Sequence, residues 1–434
     1  MRISSIPAGL LCVLTACSSG PLARVFQPAT PWEEYENRLR ESGLAESGMG
    51  RAWLRAGQSA LAAPLTAELP LRESGYFPPE VPTAIGYRIE LTRGRTFEID
   101  IRFQSAEPAR LFVDLFELRD DGPRRIASLR DSTVLREEIR RTGVYLLRLQ
   151  PELLRSGRYT VTQRTLASIR FPVPRLGTGA IQSRFGVPRE AGRRQHHGVD
   201  IFAPRGTPVV AVRNGTARPS TNELGGLVVW LRDDSTRRTY YYAHLDRWAF
   251  ENTRPVSRGD TVGFIGNTGN ARTTPPHLHF GIYESGPVDP FPFLAPDDPV
   301  PPPVEFPAER WNEWVRITPL RSELRVGPHE GAPALIGLDR GVVARALAAD
   351  GRSVRVRLPD GVAGYVLRTA VTPAANPLRR AGLPAGSVLR ESPRLDAPAV
   401  QVLERDASAE VWGRFGEFEL VQVAGSRPAW VPIR

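Results

Sequence analysis

The sequence predicts a mainly β, multidomain chain: short N-terminal helices, a β-sandwich, a β-rich central unit and two small β-barrels in the tail. Three observations carry that expectation. Apolar and polar residues alternate with period two in many short segments from about residue 67 onward, the pattern of strands with one buried face. Helical spacing of apolar residues is confined to the region before residue 66. A proline-dense run from Pro296 to Pro307 cannot pair in a sheet or continue a helix, and it divides the chain. At 434 residues the length suits about three domains with sizeable cores.

Residues 1–16 read as a targeting segment. Arg2 is followed by a mostly apolar stretch, Ile6 to Leu14, that is far too short to span a bilayer. Leu14-Thr15-Ala16-Cys17 resembles a bacterial lipoprotein signal. The resemblance implies cleavage before Cys17, a lipid on that thiol, and localisation in the cell envelope. No Asp follows the cysteine, which implies the periplasmic face of the outer membrane in a host with two membranes. Cys12 would leave with the signal, so no internal disulfide is expected.

Residues 17–66 carry apolar positions Trp32, Tyr35 and Leu39 at helical spacing behind Thr30-Pro31, a cap and a first-turn proline. A second short helix fits around Ala52-Trp53-Leu54-Arg55-Ala56. This segment is expected to space the rest of the chain from the membrane. Residues 67–169 alternate: Tyr87, Ile89, Leu91; Phe97, Ile99, Ile101, Phe103; Leu111, Val113, Leu115. Glycines punctuate them, as in a small β-sandwich. It resembles the pre-peptidase β-sandwich domains of secreted proteases and holds no chemical constellation.

The central unit, 170–295, contains five of the six histidines. They stand in His196-His197-Gly198-Val199-Asp200, Tyr242-Ala243-His244-Leu245 and His277-Leu278-His279. If 196–202 is a short strand, His196 and Asp200 share a face and His197 faces away, so His197 is left out of the site. In 277–279 both imidazoles share a face and Leu278 enters a core. A lone histidine is more often a satisfied core residue than a ligand, but three such motifs together are not explained by packing. Two imidazoles and a carboxylate are a ligand set that suits Zn²⁺ with one position left for water.

These motifs, in this order, resemble the lysostaphin and LytM-like zinc metallopeptidases, peptidase family M23, over about residues 175–295. The run Val256 to Gly269 is similar to the family's strand, glycine turn and strand before H-x-H. The resemblance implies one Zn²⁺ held by His196, Asp200 and His279, with His244 and His277 as the catalytic pair. It leaves open which of the two is the general base. No H-E-x-x-H occurs, so a helix-borne glutamate base is excluded.

Residues 296–311 form the linker, and the tail holds a repeat at an offset of 65. Leu324-Arg325 and Pro328 align with Leu389-Arg390 and Pro393; Tyr365-Val366 aligns with Trp430-Val431. The two units, 312–374 and 378–434, resemble bacterial SH3-like domains; Arg-Glu-Ser-Pro in the second departs from the usual form. They imply wall binding that raises local substrate concentration. His329 reads as a solvated loop residue.

The expected function is a zinc metalloendopeptidase that hydrolyses peptide cross-links of peptidoglycan, anchored to a membrane through Cys17. The alternative is a non-catalytic LytM-like regulator of other cell-wall enzymes, and a third reading is an anchored wall-binding module with a vestigial peptidase. The formal charge is +10, all of its basic residues arginine. No basic run is interleaved with aromatics, so nucleic acid is not an expected partner.

Overall fold

The computed structural model describes residues 28–307 and 310–433. Cys17 and the targeting segment lie outside the described residues. The chain is mainly β, with several separate sheets, as expected. Among the described residues, no helix is long and apolar enough to cross a membrane.

Two helices open the chain. Helix α1 (Pro31–Glu41) is capped by Thr30, whose hydroxyl accepts from Glu33 N while the Glu33 carboxylate accepts from Thr30 N. Helix α2 (Gly48–Ala62) is capped by Ser47. Their apolar faces meet at Trp32 and Trp53, stacked at 5.3 Å. Trp53 is buried and its Nε1 donates to Pro151 O at 2.8 Å. The helices therefore clasp the sandwich instead of standing apart as a spacer, because large aromatic rings gain more from burial than from water.

The sandwich is two facing sheets. One runs in the order Leu65–Ala67, Ile85–Leu91, Gly143–Pro151, Leu111–Arg119, Gly122–Ser128. The other begins with Val134–Glu138, Arg95–Gln104, Gly157–Ala167 and Leu71–Phe77. Tyr87 and Ile89 from the first meet Phe97, Ile99 and Ile101 from the second in one core.

The second sheet does not stop there. Leu71–Phe77 pairs with Val343–Ala349 of the tail through Ser74↔Ala349 and Gly75↔Ala348. The sheet then continues through Ser353–Arg357, Ala363–Leu367, Arg321–Arg325 and Ala334–Asp339. At the crossing Glu73 is fully buried. It accepts hydrogen bonds from the hydroxyls of Tyr87, Tyr159 and Tyr365, and Arg355 Nη2 lies 3.3 Å away. A buried carboxylate needs that many partners to offset its desolvation. Gly75 is required here, since a Cβ would lie 2.7 Å from that of Ala348. Expected as separate units, the sandwich and the first repeat thus share a sheet. His329 is drawn into the seam, its Nδ1 3.1 Å from Glu68, and is not simply solvated.

The repeat of the sequence is a repeat of strands. Arg325↔Tyr365 and Arg390↔Trp430 pair at equivalent places. The second unit is a six-stranded sheet that packs Trp412, Leu420 and Trp430 against Val343 and Trp314 of the first. The proline-rich segment is tied down at its start: Asp298 accepts from Thr165 N at 2.6 Å and Asp297 from Ala167 N at 2.8 Å.

The central unit is a ten-stranded sheet with its own core, from Ile169 to Leu294. Its two ends meet, Ile169 N donating to Phe293 O at 3.5 Å. Arg238 binds Glu138 of the sandwich and Glu284 of its own unit, joining the two.

Candidate metal centre and active site

The strand His277–Tyr283 organises the site. Val199–Phe202 pairs with it on one side in the register Asp200↔His279 and Phe202↔His277. Arg238–Trp248 pairs on the other, with Ala243↔His279. Directly opposed residues put their side chains on the same face about 5 Å apart, so three distant segments deliver their groups to one place. Leu278 points the other way and is fully buried in the core.

His196 arrives differently. The strand begins only at Val199, and His196 lies before it, in the turn that Gly198 makes possible. A Cβ on Gly198 would lie 2.5 Å from Phe280 O and 2.8 Å from the His279 ring. His197 is exposed, with its ring 6.4 Å from that of Phe185; it is not one of the converging donors but does line the same groove, to which the alternation of a strand did not assign it.

Three donor atoms converge. His196 Nε2 is 3.0 Å from Asp200 Oδ1 and 2.9 Å from His279 Nδ1, which is itself 3.0 Å from Asp200 Oδ1. His196 Nδ1 lies 2.8 Å from Arg184 O. A carbonyl only accepts, so that partner assigns the proton to Nδ1 and leaves Nε2 as a lone pair. Burial would raise the Asp200 carboxyl, but the two imidazoles outweigh it and hold it well below the usual carboxylate range. Burial lowers His279 against the pull of Asp200. A carboxylate oxygen and two imidazole nitrogens thus converge on a common point, which a cation can occupy. The residues form a ligand group consistent with one Zn²⁺.

His244 and His277 stand beside it, their rings 5.0 Å apart. His277 Nε2 is 4.0 Å from Asp200 Oδ1. His244 Nδ1 donates to Thr268 O at 2.8 Å and His277 Nδ1 to Pro275 O at 2.9 Å, so each neutral ring keeps its Nε2 free to accept. Burial pushes His244 down to about 4 despite the Thr268 contact. Its backbone is left-handed, φ 62°, at a bulge where Leu227↔Leu245 gives way to Val229↔Tyr242. The bulge turns the ring into the groove.

All five residues named from the sequence meet at one groove of about 930 Å³. Its lining lies within residues 182–283; among the described residues, neither the helices nor the sandwich contributes to it. Trp230, Tyr241 and Tyr283 form an aromatic wall beside His279. Sequence reasoning missed two neighbours. Arg189 Nη2 lies 2.6 Å from Asp200 Oδ2. Thr268 Oγ1 donates to Leu245 O and accepts from Leu227 N, fixing the carbonyl that holds His244. Neither position has a periodic signal; an asparagine-threonine-glycine turn just before H-x-H was the one available hint at Thr268.

Residues 194–290 match the model of peptidase family M23. The L-Ala--D-Glu endopeptidase of Bacillus subtilis (strain 168) is 34% identical over 139 residues, 29% of this chain and 42% of that protein. The peptidoglycan DD-endopeptidase ShyC of Vibrio cholerae serotype O1 is 37% identical over 94 residues, 21% of either chain. A solved structure described as the identification and structural characterization of LytU is 36% identical, covering 26% of this chain and 83% of its own with a TM-score of 0.25. The chain spans less than half the length of the two curated relatives.

Proposed function

We propose that this chain is a zinc-dependent endopeptidase that hydrolyses peptide cross-links of bacterial peptidoglycan. The observation that carries the reading is the convergence of two imidazoles and a carboxylate with two further imidazoles at one open groove. The match of residues 194–290 to family M23, and the peptidoglycan enzyme among its relatives, support the substrate class.

His196, Asp200 and His279 would hold the metal. The chemistry a bound Zn²⁺ would supply is that of a Lewis acid, lowering the pKa of water from about 15.7 to roughly 7 and polarising a carbonyl. The remaining work falls to the chain. His244 and His277 have their Nδ1 protons tied to carbonyl oxygens, which turns Nε2 of each toward the groove. One would accept the proton of the attacking water at Nε2 and hand that proton on to the leaving amine; the other would steady the oxyanion only when it carries a proton of its own at Nε2. His244, kept neutral by burial, is suited to accepting. Phe202, stacked at 4.9 Å on His277, fixes that ring's plane.

The expected placement is the cell envelope, lipid-anchored through Cys17, with the tail units acting on the wall. Full-length protein incubated with peptidoglycan should release peptide fragments, and chelator should stop the release. Mass analysis of the fragments identifies the bond. Wall binding without cleavage, in zinc-loaded protein, would instead favour a regulator of other hydrolases. Cys17→Ser should move the protein out of the membrane fraction; unchanged fractionation removes the anchor.

A further inference from the structure

Asp200 offers one oxygen to the donor cluster and the other to Arg189. Arg189 Nη2 lies 2.6 Å from Asp200 Oδ2 and 2.7 Å from Ser183 Oγ. That hydroxyl is 3.3 Å from His196 Nδ1. One guanidinium nitrogen therefore touches Asp200 directly and reaches His196 through a hydroxyl. Asp200 is 9% exposed and Arg189 32%, so the pair is neither a fully wet surface contact nor a sealed one.

The backbone explains how Arg189 gets there. Pro188–Arg189 pairs antiparallel with Arg194–Gln195, and the chain leaving that pair is His196. The base is closed by Gly186 N donating to His196 O at 2.8 Å and His196 N to Val187 O at 2.9 Å. The hairpin that delivers one donor thus also delivers the group that grips another. A carboxylate without such a partner can rotate and divide its time among orientations. A charge-assisted bond to one oxygen holds the other where it is needed.

We propose that Arg189 is a positioning residue that fixes the Asp200 carboxylate, and through Ser183 the His196 ring, for metal binding. The proposal rests on the zinc reading above. Arginine suits the task because the two N–H groups of one terminal nitrogen are fixed in the guanidinium plane, one for the carboxylate and one for the hydroxyl, whereas a lysine offers a freely rotating point charge.

The test is zinc affinity of the full-length protein, titrated against a chromophoric chelator, together with melting of the metal-free and zinc-loaded forms. Arg189→Met should weaken zinc binding about 10- to 100-fold, and Arg189→Lys should recover part of the loss. The metal-free melt of Arg189→Met should stay near wild type while most of the zinc-induced rise disappears. Zinc affinity in Arg189→Met within about twofold of wild type, well inside the loss expected for an outer-shell partner, would overturn the proposal and leave the metal site standing. A lowered metal-free melt with an undiminished zinc-induced rise would assign Arg189 to hairpin stability and overturn it equally. A wild-type protein that takes up no zinc would overturn the metal reading itself.

Discussion

His244 occupies a backbone conformation that few side chains tolerate. A left-handed residue other than glycine costs roughly 1–2 kcal/mol, and here the φ of 62° coincides with the bulge that swings the ring into the groove. Strain held at a position so placed marks function. His244→Ala should therefore abolish cleavage with zinc retained, whereas His279→Ala should lose both, measured by metal analysis and peptidoglycan digestion. Equal zinc loss in the two variants would show the roles to be misassigned. Burial also makes a pH statement. His244 titrates near 4 when folded and near 6.5 when free, so the unfolded chain binds the extra proton first as pH falls. Stability that is complete above about 6.5 is lost toward 4. Melting of the metal-free protein across that window should depend less on pH in His244→Gln than in wild type; equal slopes would sink the assignment.

At the scale of the strand, the site is a consequence of register. Asp200↔His279 and Ala243↔His279 align three segments, and a slip of one residue would send every ligand to the core face. This much was legible: the two-residue spacing of His277 and His279 placed Leu278 in the core, and the motif set named all five residues now found together. What was not legible is how His196 joins them. It lies outside the strand that period two suggested, and its position depends on a turn around Gly198 and on a hairpin of two paired residues on each side, too short to leave a pattern. Gly198→Ala tests that turn. The new methyl would meet Phe280 O at 2.5 Å and the His279 ring at 2.8 Å. Overpacking of this kind costs about 1–3 kcal/mol, and zinc affinity should fall with the melting temperature. Wild-type zinc binding in Gly198→Ala would show that the turn has room.

Across the whole molecule, the sandwich and the first repeat share one sheet, and Arg238 ties the central unit to the sandwich. The repeat at an offset of 65 could be read from the sequence, since it is a comparison of local patterns. The pairing of Leu71–Phe77 with Val343–Ala349 could not, because contact between strands so far apart leaves no periodic trace. Glu73 is the check. It is buried at the crossing with Arg355 and three tyrosines. Removing one partner of such a group costs about 3–5 kcal/mol, so Arg355→Met should lower stability by that order in denaturant melts. Deleting residues 308–434 should be worse, stripping Tyr365 and Arg355 from Glu73 together. A deletion that leaves the melt of the sandwich unchanged would show the two parts to be independent.

That shared sheet has a consequence for how the chain is made. Ribosomes deliver Leu71–Phe77 early and Val343–Ala349 late, so the central unit can be finished while the early strand still has a bare flank. Unpaired backbone of this kind recruits whatever strand is nearby. Truncated products, including those clipped within the proline-rich segment, should accordingly clump, and intact chains should not.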